Sequence, residues 1–363
     1  MTHATKVVDE NDEPTATTAP AGEAAAGEDR LRRRTGFARL IRRPELASLL
    51  GAILIFVLFF SVAPAFRSLD AFSTVLYASS TLGIVALAVG LLMIGDEFDL
   101  SSGVAVTSSA LAATMLNYNL HLNSWVGAGI ALVISLGIGA LNGYLVTRTG
   151  IASFLITLAA FLMLQGLNLA VTKLVTGQVA TPSIADMEGF DSAHTVFAGT
   201  IHLGALNLRV TVIWWLVFVA LASFLLYKTR FGNWIFAVGG DQDAARAVGV
   251  PVRRTKITLF MFVGFAAWFV GMHTLFAFDS IQAGQGIGNE FLYIIAAVIG
   301  GCALTGGRGT ALGTAIGALI FGMTNQGIVY AGWNPDWFKF FLGAMLLFAV
   351  FTNTSFANLT SKR

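Results

Sequence analysis

Ten apolar runs, most of them close to twenty residues long, limit what this chain can fold into more than any other feature. They cover about residues 46–66, 72–94, 103–118, 124–147, 151–172, 210–227, 257–278, 290–305, 310–330 and 337–354. A helix crosses the ~30 Å hydrocarbon core of a bilayer with ~20 apolar residues, because it satisfies its own backbone polar groups along the way. Only 12% of the 363 residues are charged, 56% are hydrophobic and the mean hydropathy is +0.74. A soluble domain carries about 25% charged residues. The expected fold class is all-α: a polytopic integral membrane protein with about ten transmembrane helices.

Lysine and arginine set the direction of such a chain, since cytoplasmic loops carry the excess. Arg67, Lys173, Arg209 and Lys339 fall on one side, and the other 18 of the 22 fall opposite. Both termini and the loop 237–254 are therefore expected in the cytoplasm, with the loop 173–208 outside. That outer loop reads either as a cover over the outer mouth or as a plain tether. Residues 1–30 have few large apolar side chains and cannot bury enough surface to fold, so disorder is expected there. The stretch "RLRRRTGFARLIRR" follows. It reads as a topology signal or an anionic-lipid contact, and it gives a cytoplasmic tail over 1–44 a basic end. The first apolar run starts near Leu46, too deep for a cleavable signal peptide. The domain expectation is that tail followed by one transmembrane domain, 45–355, with the loop 237–254 inside it.

Two stretches interrupt the apolar pattern. "IGDEFDLSSG" (94–103) places Asp96, Glu97 and Asp99 beside a span, and "IGGCALTGGRG" (299–309) aligns with it when one residue is skipped. Helices broken near 95–103 and 300–309 are expected. Irregular backbone survives at membrane depth only within protein or beside water, and acidic side chains there are costly and usually functional. The plainer reading of 94–103 is an acidic cytoplasmic loop. Gly139-x-x-x-Gly143 and Gly313-x-x-x-Gly317 allow close helix approach.

Nucleotide and enzyme motifs are missing from the sequence. Gly301-x-x-x-x-Gly306 is followed by Gly307 and Arg308, not by the Lys-Ser/Thr of a phosphate loop. There is no HExxH, no GxSxG and no kinase signature. The single cysteine, Cys302, excludes a disulfide within the chain, and the five histidines show no ligand spacing. His273, in an apolar run, reads as packed or cavity-lining. No cofactor, metal or catalytic residue is expected.

The polar stretch "AVGGDQDAARAVGVPVRR" (237–254) reads as a helix of about two turns. Gly239 and Gly240 break the preceding element, Asp241 is an N-cap, "QDAARAV" favours helix, and Gly249 with Pro251 ends it. Ala244, Ala245 and Val248 share one small apolar face. Such a helix suits a partner's groove, or it is a capped surface helix without a partner.

Four stretches in this order resemble one family: "GDEFDLSSG", "GALNGYLVTRTGIASFLITLAAFLMLQGL", "FGNWIFAVGGDQDAARAVGVPVRRTKI" and "IAAVIGGCALTGGRGTALGTAIGALIFGM". The chain resembles, from about residue 46 to 354, the permease subunit of bacterial ATP-binding-cassette importers of the ribose/xylose/galactoside type. The family's first motif usually reads Gly-Ile-Asp-Leu-Ser-Val-Gly, and here Glu97, Phe98 and Ser102 stand at three of its positions. The resemblance implies a coupling helix over Gly240, Asp241, Ala244, Ala245, Arg246, Val248 and Gly249. It also implies a cytoplasmic ATP-binding subunit, an extracytoplasmic solute-binding protein, a second permease copy, and a place in the bacterial inner membrane. No nucleic-acid partner is implied. The solute is expected to be a small monosaccharide or polyol. Glu97, Asp99, Ser101, Gln165, Asn168, Asn325 and Gln326, polar groups in or beside apolar spans, are the candidates to line its path. Two rivals remain open at this point: a stand-alone secondary transporter using Asp96, Glu97 and Asp99 as an ion or proton relay, and a membrane-embedded enzyme using the same carboxylates.

Overall fold

The computed structural model describes residues 44–361, so the expected tail and its basic cluster lie outside the described residues. Chain order gives α1 (Pro44–Val62), a 3-10 turn (Pro64–Arg67), α2 (Leu69–Ile94), α3 (Ser102–Leu120), α4 (Ser124–Thr149) and α5 (Ser153–Thr176). A short α6 (Phe190–Phe197) and the strands β1 (Thr200–Leu203) and β2 (Leu206–Arg209) follow. Then come α7 (Val210–Lys228), α8 (Arg230–Gly240), α9 (Gln242–Ala247), α10 (Val252–Phe278), α11 (Asn289–Ile299), α12 (Ala311–Tyr330) and α13 (Trp337–Ser361).

Helix α2 is central and is packed on by α7, α10, α11 and α12, while α10 is wedged between α3 and α4. The glycine pairs noted in the sequence make these approaches possible. A Cβ at Gly139 or Gly143 would overlap the backbone of α10 at Phe260 and Ile257, and one at Gly317 would overlap the Ala296 carbonyl of α11. Helices α1, α5 and α7 turn large apolar side chains outward, among them Leu54, Val57, Leu155, Met163, Leu216 and Phe224. In α5 the ordinary pattern is inverted: Ser153, Thr157, Asn168 and Thr172 face inward and are buried. Polar groups hold helices together where lipid covers the outside.

Among the described residues, six helices (α2, α4, α5, α7, α10 and α12) are long and apolar enough to cross a membrane. Each of the ten expected spans overlaps a helix, but ten full spans are not reached by length and composition. Helix α3 carries Thr107, Ser108, Ser109, Thr114 and Asn117, all buried against neighbouring helices and not facing outward. The expected span 290–305 is corrected more sharply. Its helix ends at Ile299, and eleven residues at ~1.5 Å each reach only about 16 Å, half a bilayer core.

The segment 177–209 is folded rather than a plain tether. Phe190, Ala193 and Phe197 of α6 enter the core. The backbone of 179–184 bonds to 279–283, with Thr181 N to Ile281 O at 2.9 Å, Ile184 N to Asp279 O at 3.0 Å and Ala283 N to Val179 O at 2.9 Å.

Candidate functional site

Helix α9 forms as its sequence dictates. The Asp241 carboxylate accepts from the amides of Asp243 at 3.0 Å and Ala244 at 2.9 Å, and Gly249 at φ +84° turns the chain out of the helix. Two details correct the sequence reading. Gly239 and Gly240 do not break the preceding element but are the last residues of α8. Ala245 does not share the outer face with Ala244 and Val248. It is 3% exposed and packs on Val238 and Val252, while Val248 is 79% exposed. The outer face therefore includes Ala244, Arg246, Ala247, Val248 and Gly249, with Arg246 paired to the exposed Asp243 at 3.0 Å.

The end of α8, just before this helix, sits on both expected breaks. The chain is non-helical over 95–101 and again over 300–310. The amide of Gly307 donates to the carbonyl of Ile94 at 2.8 Å. A Cβ at Gly239 would overlap that same carbonyl and press on Gly307. Three segments remote in sequence thus converge at one end of the molecule.

The three carboxylates take different roles there. Glu97 is buried in an ion pair with Lys256 of α10, and the Lys256 ammonium also donates to the side-chain oxygen of Gln242, the first residue of α9. Asp96 is exposed, and partial desolvation together with the neighbouring Glu97 pushes its carboxyl above the ordinary range against the pull of Lys256. Asp99 accepts from the Ser101 amide at 2.8 Å and hydroxyl at 2.6 Å, and Asn142 donates to that hydroxyl at 3.0 Å. Asp99 and Ser101 thereby build the turn into α3. Beside Glu97 lies a cavity of about 750 Å³, lined also by Arg148, Arg253, Ser153 and Gln242.

The remaining sequence candidates separate. Asn168 joins α5 to α3, accepting from Ser108 at 2.9 Å and donating to the Val104 carbonyl at 3.3 Å. Gln165 is half-buried on α5 and lines neither cavity described here. Gln326 donates to Asn325 at 3.1 Å. Asn325 alone of the seven reaches a second cavity, of about 410 Å³.

That second cavity is a chamber built around a break that the sequence reading did not single out. Helix α10 ends at Phe278, and residues 279–288 run in without helix to the first turns of α3. There the Thr107 hydroxyl donates to the Gln285 carbonyl. Gly286, at φ +89°, lies so close to Gly103 that a Cβ would overlap its carbonyl. The half-length α11 starts at Asn289. Tyr77, Thr81, Thr107, His273, Gln285, Asn289 and Asn325 supply polar groups to the chamber, and Phe278, Phe321 and Phe338 add aromatic walls. No Asp, Glu, Lys or Arg lines it. His273 is fixed between the Phe197 carbonyl at 2.8 Å and the Tyr77 hydroxyl at 2.9 Å. The carbonyl only accepts, so Nδ1 carries a proton and donates to it. Irregular backbone inside a membrane bundle occurs where it lines a cavity, and interrupted helices mark solute sites in transporters. The readable signal was "AGQGIGNE", with glycine at every second position from 284 to 288.

Residues 71–350 match the family described as "Branched-chain amino acid transport system / permease component". The chain is 34% identical over 299 residues to the galactose/methyl galactoside import permease protein MglC of Escherichia coli (strain K12), covering 79% of this chain and 87% of the relative. It is 29% identical over 308 residues to the ribose import permease protein RbsC of the same organism, covering 84% and 92%. The probable ABC transporter permease protein YphD, also from that strain, is 33% identical over 319 residues, covering 88% and 92%. No solved structure matches the chain.

Proposed function

The chain belongs to the family of permease components of ATP-binding-cassette importers, and from that membership we propose that it carries a neutral monosaccharide or polyol inward across a bacterial inner membrane. The chain is the membrane-spanning component and not the enzyme; ATP hydrolysis resides in a separate subunit. The sugar assignment is supported by relatives whose names specify galactose and ribose import. In this reading an extracytoplasmic binding protein delivers the solute, and a second permease copy completes the assembly.

The observation that carries the coupling is α9. It is capped at both ends, it presents Ala244 and Val248 outward, its inner residue Ala245 packs on Val238 and Val252, and it follows directly on the end of α8, where Gly239 meets both breaks. A docked ATP-binding subunit that pulls on α9 would act on the adjoining end of α8, where Gly239 meets Ile94, and, through Gln242 and Lys256, on Glu97. The α9 end is taken as cytoplasmic because Arg148, Arg246, Arg253, Lys256 and Arg308 gather around it. The proton-relay alternative finds less support, since Glu97 is already paired and Asp99 already hydrogen-bonded, both outside the charge-free chamber.

Val248→Asp tests the docking. A carboxylate forced against an apolar wall without a partner costs several kcal/mol, and each ~1.4 kcal/mol is tenfold in association. Co-purification of the ATP-binding subunit and solute-stimulated hydrolysis should fall at least tenfold. Permease insertion should be unchanged, because Val248 touches little in the free chain. Full retention of both would remove α9 as the docking element.

A further inference from the structure

We propose that the chamber at the start of α11 is a binding station for one neutral sugar ring, held by side-chain amides and hydroxyls against aromatic walls. This rests on the reading of the chain as a sugar permease and adds a place and a chemistry to it. The chamber volume of about 410 Å³ lies within the ~300–1,000 Å³ usual for small-molecule sites. Amides at Gln285, Asn289 and Asn325 both donate and accept, which matches sugar hydroxyls, since these also do both. The rings of Tyr77 and Phe338 lie in the chamber wall, and an aromatic ring has a flat apolar face that suits the C–H side of a sugar.

Charge separates a sugar from an amino acid here. A half-helix starting inside the membrane would ordinarily attract an anionic group to its free amides. In this chain that end is already occupied. Both Glu290 oxygens accept from the Gly288 amide, at 3.1 and 3.0 Å, and Glu290 is buried. A substrate carboxylate would meet a carboxylate already in place, and no side-chain cation lines the chamber to balance it. Burying an unpaired charge is costly, whereas a neutral hydroxylated ring needs only hydrogen bonds. The chamber therefore selects neutral polar solutes against zwitterions, although the family description names branched-chain amino acids.

The test uses the complete importer in liposomes: permease, ATP-binding subunit and binding protein. D-galactose, D-ribose and L-leucine serve as probes. Ala78→Cys puts a thiol in the chamber wall, while the native Cys302 is buried. A transported sugar should slow labelling of that thiol by a small water-soluble thiol reagent at least tenfold, and L-leucine should not. Asn289→Leu and Asn325→Leu should each lower sugar uptake at least tenfold and change the galactose-to-ribose ratio. Co-purification of the ATP-binding subunit should be unchanged in both variants. Thr81→Val, whose hydroxyl bonds only carbonyls of its own helix, should shift the ratio without affecting assembly. Sugar uptake by the unmutated importer with neither protection nor a ratio change overturns the chamber and leaves the sugar-permease reading standing. Transport and protection by L-leucine, with none by either sugar, overturns both.

Discussion

At the residue scale, Lys256 matters most at the α9 junction. It is buried, pairs with Glu97 from the first break, and reaches Gln242 on α9. Removing one member of a buried ion pair strands the other and costs about 3–5 kcal/mol, whereas replacing both with neutral groups of similar size costs far less. Lys256→Met should therefore lower the thermal stability of the detergent-solubilised permease and suppress solute-stimulated hydrolysis. Glu97→Gln combined with Lys256→Met should recover most of the stability. If the double variant melts no higher than the single one, the pair is not what holds the junction. Glu97 drew notice in the sequence because a carboxylate beside an apolar run is rare. Its partner could not be read there, because Lys256 lies 159 positions away and resembles any basic residue following a loop. Asp99 was noticed for the same reason and Asn168 as a polar group within an apolar span, and their hydrogen bonds place one in a turn and the other between two helices.

At the element scale, the contact of α8 with the first break gives a paired prediction from two adjacent glycines. A Cβ at Gly239 would overlap the Ile94 carbonyl, while one at Gly240 would meet nothing within 4 Å. Gly239→Ala should destabilise by about 1–3 kcal/mol through overpacking. Gly240→Ala should be neutral or stabilise by up to about 1 kcal/mol, since alanine suits a helix better than glycine. Thermal unfolding of both variants measures the difference, and equal midpoints would mean that α8 does not press on the break. The sequence marked both glycines as one helix breaker, since local propensity makes no distinction between them. Helix α11 gives the same lesson at greater length. Its apolar run continues in sequence to residue 305, but a run of apolar residues does not reveal that the backbone stops being helical at Gly300, where α12 crosses so closely that a Cβ would overlap the Gly313 carbonyl.

At the scale of the whole molecule, the orientation is tested by cysteines placed at opposite ends. Ala244→Cys on α9 should react in intact cells only with membrane-permeant reagents. Leu203→Cys on the β1–β2 hairpin should react with impermeant ones; the reverse pattern would invert the topology. The sequence by itself determined the solvent of this protein, its all-helical class, the positions of most of its long helices to within a few residues, and the local form of α9. All of these follow from hydrophobicity, charge bias, capping and helix propensity, which act between near neighbours in the chain. Tertiary structure alone decided that two breaks and the end of α8 meet at one junction, that Ala245 faces inward, and that a charge-free chamber opens where residues 279–288 run in beside α3. Those outcomes depend on close packing between segments as remote in sequence as Ile94 and Gly307, and a one-dimensional pattern does not encode which apolar face finds which partner.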